Sequence, residues 1–510
     1  MKSLIILFLI FLSCLSLDLN SAEIFLDGVI NSQLSEHDIG AATLSIVYEG
    51  QLLLKKGFGK QDLHTLTSPD LSLFRPGSVS KLFTWSAIMK LYEIGLIDLD
   101  EDINNYLDFS IPNDSLWSQE HGTITLRHIL LHRSGFEDQS DHLFVLSADR
   151  LISLEKYCKE FLPERVFATN EASAYSNYAT ALAGYIVERV TKKSFNDYLQ
   201  ETFFSPLSMS MSTFEQPLSG KLLPFMTQVY RKLGNEWAQA PFELIPGSPA
   251  GALTTTALDM SKFMLMHLNN GTFNNIRIFK PETIELMHEH HFSASQFMNG
   301  MAFGFMEDSI NGHRVLKHGG NTMNFHSGLY LVKSLNLNFL FHLTVGLEMS
   351  TTSFDDEQLR KCDAKISKKF SGQYHPLRSS FSTEAKIVAL FMRMSVSVDK
   401  SGCLVMLGNS YVHHPEDSNL FVNRFSNVSH AVSFERIYFS TSTNGHSLLS
   451  IEMPMDYIRV SFLQSSAVLL LILVLNTGFF LLTPIVWFIN RKRHNASESL
   501  DVSLMLDNHF

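Results

Sequence analysis

The chain has 510 residues, 45% hydrophobic and 18% charged, with a formal net charge of −11. That length suggests more than one domain, and the composition is that of a globular protein carrying extra apolar segments. The acidic balance, with no basic stripe beyond a short C-terminal run, argues against a nucleic-acid partner.

The first residues predict an export signal over 1–22. Lys2 supplies the positive start, Leu4 to Leu12 the apolar run, and Ser21-Ala22 a cleavage site. Cys14 falls inside this segment and leaves Cys158, Cys362 and Cys403. An odd number without close spacing predicts no disulfide framework and no cysteine-based zinc site. Partly buried free thiols are favoured, with one pair left open.

From Ala41 to Gly57 two strand-like runs flank Glu49-Gly50, which predicts a hairpin. Next comes Phe74 to Met89, FRPGSVSKLFTWSAIM. Pro76 and Gly77 end what precedes, and the apolar run from Val79 predicts a helix buried on nearly all sides. Ser78 and Lys81 are three residues apart and share its entrance. A serine needs a base to become a nucleophile, and a lysine serves only if burial lowers its pKa. The same spacing at Ser153/Lys156 and Ser397/Lys400 lies in charged or turn-like sequence. Only Ser78 opens a buried helix.

Helical patterns dominate as far as Tyr198, and Leu126 to Gly135 predicts a helix stopped by glycine. Tyr175-Ser176-Asn177 precedes an apolar helix. A tyrosine beside a lysine can shuttle a proton, and an asparagine amide can orient the lysine or a substrate carbonyl; the plainer reading makes Asn177 a helix cap. His318-Gly319-Gly320-Asn321 comes just before a strand at Phe325. Its glycines admit a ligand close to the backbone, and a strand-edge N–H can help form an oxyanion hole. Strands at both ends, with helices between, suggest one sheet built from the two ends of the domain.

Ser-x-x-Lys, Tyr-x-Asn and a glycine-rich triad before a strand, in that order, form one constellation. The sequence resembles the β-lactamase-related serine hydrolases: class C β-lactamases, D,D-carboxypeptidases, D-aminopeptidases and esterases. Phe74 to Lys81, Leu130-Leu131-His132-Arg133-Ser134-Gly135, Gly251 to Thr255 and Phe303-Gly304-Phe305 support the match. The resemblance implies an α/β (α+β) fold with a β-lactamase/penicillin-binding-protein-like antiparallel sheet, an inserted helical subdomain and a small C-terminal β-domain. It implies that Ser78 is the acyl-enzyme nucleophile and that Lys81 and Tyr175 share the acid–base work. Asn177 would position Lys81 and the substrate amide. His318, Gly320 and Asn321 would line the substrate, with the N–H groups of Ser78 and Asn321 forming the oxyanion hole. No cofactor and no metal are implied. β-Lactamases usually carry Lys-Thr-Gly at the third motif. Here His318 is mostly neutral near pH 7 and glycine has no hydroxyl, so an ester, amide or peptide substrate is favoured over efficient β-lactam hydrolysis.

In His288-Glu289-His290-His291 the first and last histidines could share a helix face, but no H-E-x-x-H pattern is present, and the stretch predicts a solvated helix end. The expected domains are a hydrolase over 23–350, a linker helix over 351–371 and an accessory β-domain over 372–461, a sandwich or barrel. Residues 466–490 predict a membrane-spanning helix. Arg491-Lys492-Arg493 after it places the tail, 491–510, in the cytoplasm and the catalytic domain outside. These features predict a membrane-tethered extracytoplasmic hydrolase acting on a small molecule or peptide, peptidoglycan-derived peptides among them. The alternative is a penicillin-binding-like sensor or scaffold that does not turn over.

Overall fold

The computed structural model describes residues 19–460, apart from 114–121, 140–141, 234–235, 311, 345–361, 380–392, 415, 424–435, 442–446 and 452–454. Helix α1 (Leu19–Glu36) leads into a hairpin of β1 (Ala41–Tyr48) and β2 (Gln51–Gly59). Glu49 and Gly50 make its turn with φ of 48° and 74°, the left-handed pair a tight hairpin requires. Helices α2 (Lys81–Glu93), α3 (Leu126–Leu130), α4 (Leu154–Glu160), α5 (Asn177–Thr191) and α6 (Phe195–Leu199) follow. Then come a short hairpin of β3 (Tyr230–Leu233) and β4 (Glu236–Gln239), helix α7 (Ala257–Leu268), a second short hairpin of β5 (Thr272–Phe273) and β6 (Ile276–Arg277), and helix α8 (Pro281–His288). The chain returns to strands at β7 (Met306–Ile310), β8 (His313–Asn321), β9 (Phe325–Val332) and β10 (Leu337–Thr344).

The six-stranded sheet has the order β2-β1-β10-β9-β8-β7. β1 pairs antiparallel with β10, Ala42 opposite Leu343 and Tyr48 opposite Leu337, so the two ends of the domain meet at its centre. Both faces are covered. On one, Leu26, Ile30 and Leu34 of α1, spaced by four, pack against Leu44, Ile46, Phe58 and Val332. On the other, Leu329, Leu331 and Leu340 join the core that also holds side chains of α2, α5 and α7, with α7 lying against β1 and β10. Every residue of α2 from Lys81 to Met89 is buried. Side chains such as Leu82, Phe83 and Ile88 then contribute about 1.5–3 kcal/mol each on burial. That offsets the cost of placing a lysine amine at the head of the same helix.

Helix α9 (Ala364–Phe370) leads to β11 (Gly372–Pro376), β12 (Met394–Val398), β13 (Leu404–Met406), β14 (Asn409–His414), β15 (Asp417–Asn423), β16 (Arg436–Thr441), β17 (Ser447–Ile451) and β18 (Asp456–Val460). These strands close into a barrel, β18 pairing back onto β11, which removes free sheet edges. Phe370 plugs it, stacked 4.5 Å from Phe439.

Three expectations are corrected. Cys362 and Cys403 form a disulfide that ties the residues before α9 to the β12–β13 turn, while Cys158 is free and buried; the pairing joins cysteines too far apart in sequence for spacing to reveal. The helix expected over 126–135 stops at Leu130, because His132 turns left-handed with φ 55°. His288 is not solvated: it is 3% exposed, with Nε2 3.1 Å from His267 Nδ1.

α1 begins before the expected cleavage site and buries Ala22. The apolar run at 4–12, most of the 351–371 linker and the 466–490 segment lie outside the described residues. No helix among the described residues is long and apolar enough to cross a membrane.

Candidate active site

Ser78 sits in a 3-10 turn, Gly77–Ser80, that runs straight into α2. The turn is anchored from behind by Arg75. This fully buried guanidinium bonds to the Glu243 carbonyl and, at 3.0 Å, to Gln216 Oε1. Two glycines let β8 press against the turn. Gly77 has φ 54°, and a Cβ there would meet Asn321 N at 2.7 Å; a Cβ on Gly320 would meet the Pro76 carbonyl at 1.9 Å. No side chain fits at either position. The Asn321 backbone is thereby held beside the Ser78 turn, where the N–H groups of Ser78 and Asn321 would have to converge on an oxyanion.

Ser78 is half-buried, but Lys81 below it is fully buried. Lys81 Nζ lies 3.1 Å from Ser78 Oγ, 2.8 Å from Asn177 Oδ1 and 2.5 Å from the Ala250 carbonyl. Burial pushes the amine well below its ordinary pKa, and the Arg378 charge lowers it further against a smaller opposing pull from Asp138. A lysine in its neutral form, within hydrogen-bond reach of a serine hydroxyl, is able to serve as a general base.

Asn177 is the first residue of α5, yet it does not cap it. Ser176 does, accepting from Ala179 N at 3.0 Å. The asparagine side chain is therefore free to turn toward Lys81. Tyr175 is buried, its ring centroid 4.9 Å from Lys81 Nζ and 4.3 Å from the His132 ring. Its hydroxyl makes no hydrogen bond among the described residues. Burial raises its pKa, and Ser78 is the strongest influence pulling it back down. The Tyr175 hydroxyl is thus within the electrostatic influence of Ser78.

His318 is buried, with Nδ1 2.7 Å from the Gly319 carbonyl and its ring 6.3 Å from that of Tyr175. Burial, then the Lys81 charge, pushes it down to about 3. The third motif therefore brings no cation to the site. All seven residues singled out in the sequence — Ser78, Lys81, Tyr175, Asn177, His318, Gly320 and Asn321 — converge here. The other Ser-x-x-Lys pairs do not: Ser153 caps α4 through Lys156 N at 3.2 Å, and Ser397 lies on β12.

Three neighbours were not singled out. His132 is buried against Tyr175 and receives Ser176 N on Nδ1 at 3.3 Å; its only sequence signal was the His-Arg-Ser-Gly run. Asp138 and Arg378 form an ion pair at 3.0 Å beside the Tyr175 ring. Arg378 comes from the barrel, and nothing local marks it. The barrel is docked on the tyrosine loop. Asp456 Oδ2 accepts from Ser173 N at 2.8 Å, Asp456 N donates to the Ser173 carbonyl at 2.9 Å, and Ala174 bridges to Met455. Among the described residues no group of three or more His, Cys, Asp or Glu side chains is placed to hold a metal.

A family model described as Beta-lactamase matches residues 26–352. The chain belongs to the beta-lactamase family. Among curated relatives of this beta-lactamase family chain, Beta-lactamase-like protein 4 of Dictyostelium discoideum is 26% identical over 62% of the chain and 58% of its own length. Protein flp of Staphylococcus aureus (strain N315) is 27% identical over 39% of each chain. The match thus spans less than two thirds of the length of these relatives.

Two solved structures share the beta-lactamase family fold. The octameric penicillin-binding protein homologue from Pyrococcus abyssi has a TM-score of 0.54 at 18% identity, covering 85% of this chain and 99% of that one. D-amino acid amidase from Ochrobactrum anthropi SV3, solved with L-phenylalanine amide, has a TM-score of 0.53 at 19% identity, covering 64% and 91%.

Proposed function

We propose that this protein is a membrane-tethered, extracytoplasmic serine hydrolase that cleaves an ester or amide bond through an acyl-enzyme on Ser78. The observation that carries the reading is Lys81 Nζ, buried, held below its ordinary pKa and 3.1 Å from Ser78 Oγ. In this reading neutral Lys81 takes the Ser78 proton as Oγ bonds to the carbonyl carbon. The Ser78 and Asn321 N–H groups receive the oxyanion. The C–O or C–N bond then breaks, and the leaving group takes a proton delivered through Tyr175. Water repeats the sequence: the base takes its proton, hydroxide attacks the acyl carbon, and Ser78 leaves protonated. Asn177 keeps the Lys81 amine aimed at Ser78 and can donate its amide N–H to a substrate carbonyl.

A neutral His318 in the third motif supports an ester, amide or peptide substrate over efficient β-lactam hydrolysis. The fold shared with a D-amino acid amidase supports including small amides among the candidates. The Cys362–Cys403 disulfide supports an oxidising compartment. The apolar run over 466–490 with Arg491-Lys492-Arg493 behind it supports a tether with the catalytic domain outside.

The test is steady-state hydrolysis by the full-length, detergent-solubilised protein of aryl esters, D-amino-acid amides and D-alanyl peptides. Turnover of any of these that Ser78→Ala abolishes supports the reading. Turnover that survives in Ser78→Ala, or well-folded protein that hydrolyses none of them, contradicts it.

A further inference from the structure

Arg378 follows the first barrel strand and is fixed from both sides. Leu377 N donates to the Asp456 carbonyl at 2.9 Å, and the Ser379 carbonyl accepts from Asp138 N at 3.1 Å. Between these anchors the guanidinium lies 4.8 Å from the centroid of the Tyr175 ring, the same ring that Lys81 Nζ approaches at 4.9 Å. The two cations differ in exposure. Lys81 is fully buried and committed to three oxygens, whereas the Arg378 side chain is 32% exposed. Its Nε is held by Asp138 Oδ2 at 3.0 Å, and among the described residues its terminal nitrogens make no hydrogen bond. A guanidinium gripped at Nε still presents its outer N–H groups as donors in a fixed plane, the geometry that matches a carboxylate. The strand motif beside the site cannot supply such a charge, because His318 is buried and bonded to its own neighbour's carbonyl.

We propose that Arg378 is a specificity-determining residue of this site and that it receives a carboxylate on the substrate acylating Ser78. The barrel, docked through Asp456 on the loop that carries Tyr175, thereby completes the substrate site of the other domain. Asp138 fixes the guanidinium plane and keeps the charge in place when no substrate is bound. The inference rests on the acyl-enzyme reading above and adds to it the chemical class of the substrate: an ester or amide with an anionic group near the scissile bond.

Boronic acids test this without knowledge of the natural substrate, because Ser78 Oγ adds to boron as it would to a carbonyl. The readout is protection of Ser78 from fluorophosphonate labelling in the full-length protein, for phenylboronic acid against its 3-carboxy and 4-carboxy derivatives. Each variant is normalised to its own uncompeted labelling rate. At least one carboxylated boronate is expected to protect about tenfold better than phenylboronic acid, as a charge-assisted contact requires. Arg378→Gln should erase that ratio, and Arg378→Lys, which keeps the charge but not the fork, should keep part of it. Equal protection by all three compounds in the natural protein overturns the inference while leaving the acyl-enzyme reading intact. So does a ratio that survives Arg378→Gln. Absence of any label on Ser78 overturns both.

Discussion

Asn177 Oδ1 stands 2.8 Å from Lys81 Nζ across a sequence separation of 96 residues. The contact joins the first residue of α5 to the first residue of α2 and aims the lysine at Ser78. The amine gains an acceptor that adds no charge to the buried site. A carboxylate there would favour the protonated lysine.

Lys81→Met should therefore remove the base while keeping the shape of the helix entrance. Turnover is expected to fall by about 10²- to 10⁴-fold, the usual worth of a positioned base. Thermal stability should hold or rise, since an unbranched apolar chain replaces a buried amine. Circular-dichroism melting beside kcat/KM separates the two effects; a loss of activity that merely tracks unfolding would contradict the assignment.

The pH profile should carry an acid limb set by Lys81. Its folded pKa is depressed, so the neutral base is present above that value and is lost as pH falls through it. Arg378 lowers this pKa and Asp138 raises it. Arg378→Gln should therefore move the acid limb to higher pH, and Asp138→Asn should move it to lower pH. The same linkage acts on stability. Where native Lys81 is neutral but the unfolded lysine is protonated, the unfolded state binds more protons. The contribution of Lys81 to stability thus rises with pH between its folded and unfolded values, and Lys81→Met should flatten that slope. Rate–pH profiles and chemical denaturation at several pH values read the two effects.

Gly320→Ala should abolish activity by pushing β8 off the nucleophile turn. A Cβ there meets the Pro76 carbonyl at 1.9 Å, and backbone cannot rotate aside as a side chain would. Overpacking of this kind costs about 1–3 kcal/mol. Loss of activity larger than the fall in Tm explains is the expected signature. Gly319→Ala is the control, since its nearest neighbour to a Cβ is the Ser327 carbonyl at 4.0 Å.

Reduction of the Cys362–Cys403 bond should destabilise the barrel. It closes a sequence separation of 41 residues, which the chain-entropy model equates to about 4 kcal/mol. Alkylation of the denatured, unreduced protein should modify Cys158 but neither of the paired cysteines. Calorimetry with reductant should lower the melting temperature. Rapid alkylation of Cys362 without reductant would contradict the pairing.

Much of the site was legible because its signals are local. The Pro76-Gly77 break, the apolar run after Val79 and the three-residue spacing of Ser78 and Lys81 all act within one helix entrance. The strand pattern after Phe325 and the Glu49-Gly50 turn likewise follow from period and turn chemistry. What was missed depends on contacts distant in sequence. Asn177 could be read as a cap until Ser176 took that bond. The helical pattern after Leu126 runs past the true helix end because the chain leaves it at His132 in a left-handed turn that this residue type does not announce. Arg378 is an ordinary charged residue after a short strand. Its place beside Tyr175 follows from barrel closure and from the Asp456–Ser173 docking, which no window of sequence contains. The cysteine pairing has the same character.

The most direct test of the central claim is fluorophosphonate labelling of the full-length protein across pH, with the modified peptide identified by mass spectrometry. A single adduct on Ser78 is expected, absent in Ser78→Ala, with a rate that falls toward acid pH and drops sharply in Lys81→Met. An adduct on another serine, or a Ser78 adduct whose rate is indifferent to both pH and Lys81, would contradict it.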